Sequence, residues 1–330
     1  MDSSLTAVQF GVGPIGARIA QSALNRGVEF VGAVDVDPEK VGEDLGEVAG
    51  LGEETGVIVT DDADAALSAD PDVVFHATVS SAEAARGQLE TILEAGANVV
   101  STCEELVYPW RDHAETAAAL DEVAREHGVT CLGTGINPGF AMDAMPVVLS
   151  TPMESVESVR VERVQDAGTR REPLQRKVGA GTAVDRFEDE VAAEAGHVGS
   201  PESTAMLAAG LGWECDEITE TIEPVVADET IETEFLTVEE GEVAGVHQVA
   251  RGYVDGEEKL TLDLRMAVGL TSRDSVDFEG SPDVSITVEG GYHGDVATSA
   301  VVANCAPRVV EAEAGLLTML DLPLPSVVRE

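Results

Sequence analysis

Lysine is nearly missing from this chain. Only Lys40, Lys177 and Lys259 occur in 330 residues, and 19 basic side chains face 63 acidic ones, for a formal net charge of −44. Such a surface repels a polyanion, so nucleic-acid binding is not expected. The acids run along the whole chain and form no tail. Self-repulsion on this scale works against a compact state in dilute buffer. At molar salt the Debye length falls to about 3 Å, and the composition is read as that of a halophilic protein. Long apolar runs are missing as well. None reaches the roughly 20 residues of a membrane helix, and MDSSLTAVQF lacks the basic start of a signal peptide. A cytoplasmic location away from the membrane is expected. Cysteine is scarce: Cys103, Cys131, Cys215 and Cys305 form no CxxC pair and read as reduced and structural. The histidines show no ligand spacing, no HExxH occurs, and no GxSxG elbow occurs. Neither a metal site nor a serine nucleophile is expected.

What is present is clearest over residues 5–35, LTAVQFGVGPIGARIAQSALNRGVEFVGAVD. A short apolar run ends at Gly11, the turn GVGPIG follows, then a stretch of helical spacing, then a second apolar run ending in Asp35. This is the dinucleotide-binding fingerprint in its confirming context of strand, glycine turn, helix, strand and acid. Gly11 permits the tight turn, Gly13 lets the backbone approach a pyrophosphate, and Gly16 lets helix and strand pack closely. Pro14 and Ile15 open the helix, whose free N–H groups and partial positive charge suit phosphate. Asp35 is placed to accept the ribose hydroxyls of NAD. It repels the 2′-phosphate of NADP, with Lys40 the one nearby cation. NAD or NADP is therefore the expected cofactor, NAD favoured.

Strands are expected at 5–10, 29–36, 56–60, 72–78, 98–102 and 129–134, and helices at 15–26, 62–68, 81–95, 111–127 and 139–150. Alternating Val-rich strands and helices predict an α/β, doubly wound parallel sheet, assigned to a dinucleotide-binding domain over 1–150. The texture then changes. SVESVRVERVQ reads as a long strand, DRFEDEVAAEAG and PESTAMLAAGLG as helices, and strands dominate from 217 to 291, including TIETEFLTV, KLTLDLRMAV and DVSITVEGG. This predicts an α+β substrate and oligomerisation domain over 151–294 with an open mixed sheet. A helical tail, broken at Pro307, is expected over 295–330, docking back on the first domain.

Ligands of a doubly wound sheet gather at the carboxyl ends of its strands. Ala77 and Thr78 follow the fourth strand beside His76, which reads as a packing residue. Cys103, Glu104 and Glu105 follow the fifth. A carboxylate beside a nicotinamide can hold an ammonium or take its proton; Glu104, nearer the strand end, is the first choice and Glu105 the second. The alternative is a pair of helix-start acids complementing the dipole. Asn137, in GTGINPGF after the sixth strand, offers donor and acceptor to cofactor or substrate, or simply caps a helix. Arg170, Arg171, Arg176 and Lys177 precede the flexible loop Gly179–Thr182. Arg171, Lys177 and Thr182 are candidates for binding an anionic substrate group, against a reading as salt bridges to neighbouring acids. His197 is a further candidate substrate contact and His293 a weaker one, and either histidine can equally be structural.

Taken together, GVGPIG, STCEEL, GTGINPGF, REPLQRKVGAGT, AGHVGSPESTAMLAAGLGW and GDVATSAVVANCAP with LLTMLDLP resemble the 2,4-diaminopentanoate dehydrogenase group. That group is related to dihydrodipicolinate reductases and includes native amine dehydrogenases. The resemblance spans nearly the whole chain. It implies a Rossmann domain followed by a dihydrodipicolinate-reductase-like domain, usually in a homodimer. The implied reaction is NAD(P)-dependent oxidative deamination of an amine or diamine, or the reverse amination of a ketone with ammonia. It also implies that the acid at Glu104 is the catalytic carboxylate. Dihydrodipicolinate reductase itself is the second reading. The Asp-x-Pro-Ser part of its substrate loop is absent from Lys177–Thr182, and its histidine pair is missing. A non-catalytic NAD-sensing protein would keep the glycine turn and Asp35 without needing Glu104.

Overall fold

The computed structural model describes residues 5–187 and 196–327. Contacts within the chain divide it into two units, one of residues 1–140 and 294–330, the other of residues 141–293. The expected boundary at 150 therefore moves to 140, and the tail from 294 onward belongs to the first unit.

In the first unit, β1 (Thr6–Phe10), β2 (Glu29–Val34), β3 (Val59–Thr60), β4 (Val73–His76), β5 (Asn98–Ser101) and β6 (Thr130–Gly133) pair in parallel in the order 6-5-4-1-2-3. The order reverses between β1 and β4, the switch point at whose carboxyl ends doubly wound sheets bind their ligands. Helices α1 (Pro14–Leu24), α2 (Leu45–Val48), α3 (Ala63–Leu67), α4 (Ala82–Glu94) and α5 (Ala114–His127) connect the strands. Pro14 suits the first helical position of α1. Gly128 ends α5 in the left-handed conformation at φ +70°. Leu89, Ile92 and Leu93 of α4 are fully buried among Val74, Val99 and Leu120. Each such side chain is worth about 1.5–3 kcal/mol of apolar burial.

Two expectations for this unit are corrected. Pro307 does not break the tail helix, which runs unbroken over Gly294–Val310. Its buried Ser299, Val302, Ala303, Ala306 and Val309 hold it in place, aided by a hydrogen bond from Ser22 Oγ to Ser299 Oγ at 3.2 Å and one from Arg26 Nε to Asn304 Oδ1 at 2.6 Å. The apolar segment after it is a strand, not helix: Gly315–Leu317 joins β6 in parallel as a seventh strand. The Leu316 N–H donates to Asp121 Oδ1 at 3.0 Å.

The second unit is built on a six-stranded sheet. Its strands are β7 (Ser155–Asp166), β8 (Glu217–Val226), β11 (Val243–Val254), β12 (Glu257–Ala267), β13 (Arg273–Ser281) and β14 (Val284–Glu289), in the order 14-13-7-12-11-8. β7 and β12 pair in parallel and every other neighbour is antiparallel, which makes the expected mixed sheet. The segment TIETEFLTV is not one strand but two short ones, β9 (Ile231–Glu232) and β10 (Thr237–Val238), paired with each other. The helix expected over 139–150 starts only at Ala144, because Gly139 takes φ +117° and Asp143 caps the helix on the Ala144 N–H at 2.7 Å. Helix Ser200–Gly210 is as expected; of DRFEDEVAAEAG, residues 188–195 lie outside the described residues. Strand alternation puts Val159, Val161, Leu260, Leu262 and Leu264 on the buried side of this sheet. On the buried side too, Arg163 pairs with Asp274 at 2.7 Å. Tyr292 is tied to both, its carbonyl accepting from Arg163 at 2.8 Å and its N–H donating to Asp274 at 2.7 Å.

Candidate active site

The glycine turn carries its three glycines for three separate reasons. Gly11 has φ +89°, and a Cβ there would collide with the Ala77 carbonyl oxygen. A Cβ on Gly16 would collide with the Gly11 carbonyl oxygen, so α1 can lie against the turn only without a side chain. A Cβ on Gly13 would meet nothing within 4 Å. Its bareness serves no internal packing and leaves open the approach that a pyrophosphate requires. Gly13 is the residue preceding α1, and no side chain caps that helix, so its first N–H groups suit an anion. Beneath the turn, Gln9 donates to the Gly11 carbonyl at 2.9 Å and the Phe75 carbonyl at 3.2 Å. Sequence reading passed over Gln9, which sits at an ordinary strand position with only its buried polarity as a signal.

Asp35 follows β2 and faces the same turn. Its Oδ2 accepts from the Val12 N–H at 2.8 Å and from Lys40 Nζ at 3.0 Å, and its Oδ1 accepts from the Asp37 N–H at 2.9 Å. Burial pushes this carboxyl up, but the hydrogen bonds from Asp37, Lys40 and Val12 outweigh it and hold it below the ordinary range. Lys40 also lies 3.5 Å from Asp37 Oδ2. Burial lowers its ammonium, and the Asp35 hydrogen bond and both carboxylates raise it beyond the ordinary value. These features fit a dinucleotide: an open glycine approach, an uncapped helix start, and a fixed carboxylate at the neighbouring strand end.

At the ends of β4 and β5 the polar side chains are laced together. His76 is fully buried; Nδ1 lies 2.8 Å from Ser101 Oγ and Nε2 lies 2.8 Å from Gln88 Oε1. Burial pushes its pKa down to about 4, so the ring is neutral. Thr78 Oγ1 reaches both His76 Nε2 at 2.9 Å and Gln88 Oε1 at 2.7 Å. Ala77 donates its N–H to the Phe10 carbonyl at 2.8 Å, which places it directly behind Gly11. The side chain of Cys103 is buried and its thiol donates to the Ser80 carbonyl at 3.1 Å. Burial first, with Glu104 and Glu105 adding to it, pushes this thiol up to about 12. The Cys103 N–H donates to Ser101 Oγ at 3.1 Å and its carbonyl accepts the Leu106 N–H at 3.1 Å, which leaves a ligand the carbonyl's second lone pair.

The two acids after Cys103 differ sharply. Both lie in a short 3₁₀ turn, Glu104–Leu106. Glu105 Oε2 accepts from the Ala82 N–H at 2.8 Å and lies 3.3 Å from His113 Nε2. Glu105 also donates its own N–H to the Ser80 carbonyl at 3.2 Å. Glu104 is half-buried, and its carboxylate has no hydrogen-bond or ion-pair partner among the described residues. Asn137 precedes Pro138 across a cis bond and is half-buried. In the same loop the Ile136 N–H donates to Thr298 Oγ1 at 3.4 Å.

The remaining candidates belong to the second unit. Arg171 precedes helix Glu172–Lys177 and Lys177 ends it; both are exposed, and neither has an ion pair among the described residues. Arg176 pairs with Glu172 at 2.7 Å, as the salt-bridge alternative held for that residue. Thr182 Oγ1 donates to the Gly179 carbonyl at 2.6 Å, closing the loop, and the Thr182 carbonyl accepts from the Val243 N–H at 2.9 Å. His197 donates its N–H to Gln248 Oε1 at 2.7 Å, and its ring Nδ1 lies 2.8 Å from the Val198 carbonyl. The structure thus brings Lys177 and Thr182 to one short loop, and His197 to another.

Comparison with known proteins agrees with this geometry. The family model for the 2,4-diaminopentanoate dehydrogenase C-terminal domain matches residues 140–330. The chain is 33% identical to a 2,4-diaminopentanoate dehydrogenase of Acetoanaerobium sticklandii, over 96% of this chain and 93% of the relative. The chain belongs to the 2,4-diaminopentanoate dehydrogenase family. An amine dehydrogenase of Streptomyces virginiae is 26% identical, with 98% of each chain covered. The solved structure of an amine dehydrogenase from Mycobacterium smegmatis superimposes with a TM-score of 0.86 at 28% identity, covering 99% of this chain and 98% of the other. The dihydrodipicolinate reductase N-terminus model matches residues 8–129 alone. The expectation of an NAD(P)-dependent amine dehydrogenase stands, ahead of that of a dihydrodipicolinate reductase.

Proposed function

We propose that the chain oxidatively deaminates a small amine or amino acid resembling 2,4-diaminopentanoate, or runs the reverse amination of a ketone with ammonia, with Glu104 as the catalytic carboxylate. The observation that carries the assignment is the Glu104 carboxylate just after β5, which has no partner among the described residues, beside a Glu105 already spent on Ala82 and His113. NAD(H) is the favoured cofactor. Gly11, Gly13, Gly16 and the start of α1 would hold its pyrophosphate and Asp35 its ribose; Ala77, Thr78, the Cys103 backbone and Asn137 would line the nicotinamide end. When bound, the nicotinamide supplies the hydride acceptor or donor.

The chain's own part is electrostatic. The nitrogen is cationic both as substrate ammonium and as iminium, and a fixed carboxylate stabilises that charge where it develops. In a site closed to water this is worth about 10²–10³ in rate. Glu104 suits the task because no neighbour among the described residues competes for its oxygens. It can also take the proton that the ammonium must lose before a hydride can leave carbon. Arg171 and Lys177, two of few cations in an acidic chain and free of ion pairs among the described residues, are assigned to an anionic substrate group, with Thr182, His197 and Asn137 as polar contacts. A halophilic cytoplasm and a homodimer belong to the same proposal.

A panel of 2,4-diaminopentanoate, simple diamines, monoamines, and ketones with ammonia, assayed with NAD(H) and NADP(H) at molar salt, tests the function. Turnover of an amine with the nicotinamide is expected. Tight NADH binding with no turnover across the panel would favour the cofactor-sensing alternative.

A further inference from the structure

Glu104 and Glu105 are adjacent in sequence, and the structure gives them opposite situations. Glu105 reaches across to the start of α4 and accepts the Ala82 N–H at 2.8 Å. Ala82 is the first residue of α4, so its N–H has no partner within that helix. The cap residue Ser81 covers a different donor, the Ala84 N–H, at 3.5 Å. The negative charge of Glu105 also lies at the positive end of a helix of 13 residues. Nε2 of His113, just before α5, lies 3.3 Å from the same oxygen. The backbone adds two ties to one acceptor: the Ser80 carbonyl receives the Glu105 N–H at 3.2 Å and the Cys103 thiol at 3.1 Å. The residues on either side of Glu104 are therefore both bound to the loop between β4 and α4.

We infer that Glu105 is a positioning residue: by latching the 3₁₀ turn to the Ala82 N–H it fixes where the Glu104 carboxylate stands. The inference rests on the catalytic reading of Glu104. It also explains why two consecutive acids occur where the chemistry needs one. Without the latch, the turn keeps the Ser80 ties, the Cys103 N–H bond to Ser101 Oγ at 3.1 Å and the buried Leu106, but no side chain holds it to the start of α4, and the Glu104 carboxylate can shift. A displacement of about 1 Å at a catalytic group costs on the order of 100-fold in rate. A glutamine at 105 keeps an oxygen that can accept the Ala82 N–H, and an alanine does not.

The test is a comparison of kcat, KM, cofactor Kd and melting temperature for Glu105→Ala, Glu105→Gln, Ala82→Pro and Glu104→Gln at molar salt. Ala82→Pro removes the latched N–H and puts its Cδ where Glu105 Oε2 now lies, displacing that carboxylate without changing either acid's chemistry, at the first helical position, which tolerates proline. The expected result is a fall of about 10- to 100-fold in kcat for Glu105→Ala and Ala82→Pro, with KM and NADH Kd changed by less than about threefold. Glu105→Gln is expected to stay within about fivefold of the wild type. A melting temperature lowered in Glu105→Ala with kcat unchanged would reduce Glu105 to a helix cap and overturn the inference. Glu105→Gln as inactive as Glu105→Ala would make Glu105 the reacting acid and overturn it as well. Should Glu105→Ala not fold, Ala82→Pro and Glu105→Gln decide by the same criteria. Full activity in Glu104→Gln would fail the catalytic reading itself. An inactive Glu104→Gln beside a fully active Glu105→Ala would fail only the latch.

Discussion

The Val12 N–H donates to Asp35 Oδ2 at 2.8 Å, tying the glycine turn after β1 to the acid after β2. Asp35, proposed above as the ribose acid, therefore also holds the turn in shape. Asp35→Ala is expected to weaken NADH and NADPH together, by an order of magnitude or more, where a carboxylate acting only by repulsion would give a gain for NADPH. Titration of both reduced cofactors at molar salt distinguishes the two.

Lys40 bears on the same choice. Its ammonium pairs with Asp35 at 3.0 Å and lies 3.5 Å from Asp37, so it offsets part of the charge that a 2′-phosphate would meet. NADH is expected to bind more tightly than NADPH, and Lys40→Met is expected to widen that gap by lowering NADPH affinity. Tighter NADPH binding by the wild type would refute the assignment.

A chain with a net charge of −44 should depend on salt for its stability. Screening shortens the range of repulsion from about 10 Å at 0.1 M to about 3 Å at 1 M. The melting temperature is expected to rise steadily with KCl across that range. A flat profile would remove the halophilic reading.

His76 adds a dependence on pH. Its pKa falls from the ordinary 6.5 to about 4 in the folded chain because burial disfavours the charged ring. The unfolded chain takes up this proton near pH 6.5 and the folded chain does not until about pH 4. Stability from this group is therefore complete above pH 6.5 and is lost as pH falls toward 4, by at most about 3 kcal/mol. Denaturant unfolding of the wild type between pH 7.5 and 5 should show the larger part of that loss. His76→Gln should have a shallower slope in the same window, whatever its absolute stability. Equal slopes would mean that His76 titrates normally.

How far the sequence carried these conclusions differs from element to element. The run from β1 to Asp35 was legible because its signals are local: apolar strands, glycine spacing and a terminal acid within 31 residues. The tail was misread because its determinants are distant. Pro307 costs a helix one internal hydrogen bond, but the helix is held by Ser22 and Arg26 at the other end of the chain. Strand Gly315–Leu317 is stabilised by pairing with β6 and by Asp121, neither visible in its own short run. Position in the sequence ranks Glu104 ahead of Glu105 only by its nearness to the strand end, since what sets their situations apart is the Ala82 N–H, 23 residues away in sequence. The network of His76, Thr78, Gln88 and Ser101 was hidden likewise, its members coming from two strand ends, a loop and a helix.

The most direct test of the account is the turnover number of Glu104→Gln with an amine that the wild type accepts, measured with NADH affinity on the same preparation. The glutamine keeps the shape and removes the charge. The account predicts a kcat lower by about two to three orders of magnitude and an NADH Kd nearly unchanged, since the pyrophosphate and ribose contacts are assigned to the glycine turn and Asp35. A kcat equal to that of the wild type would contradict it.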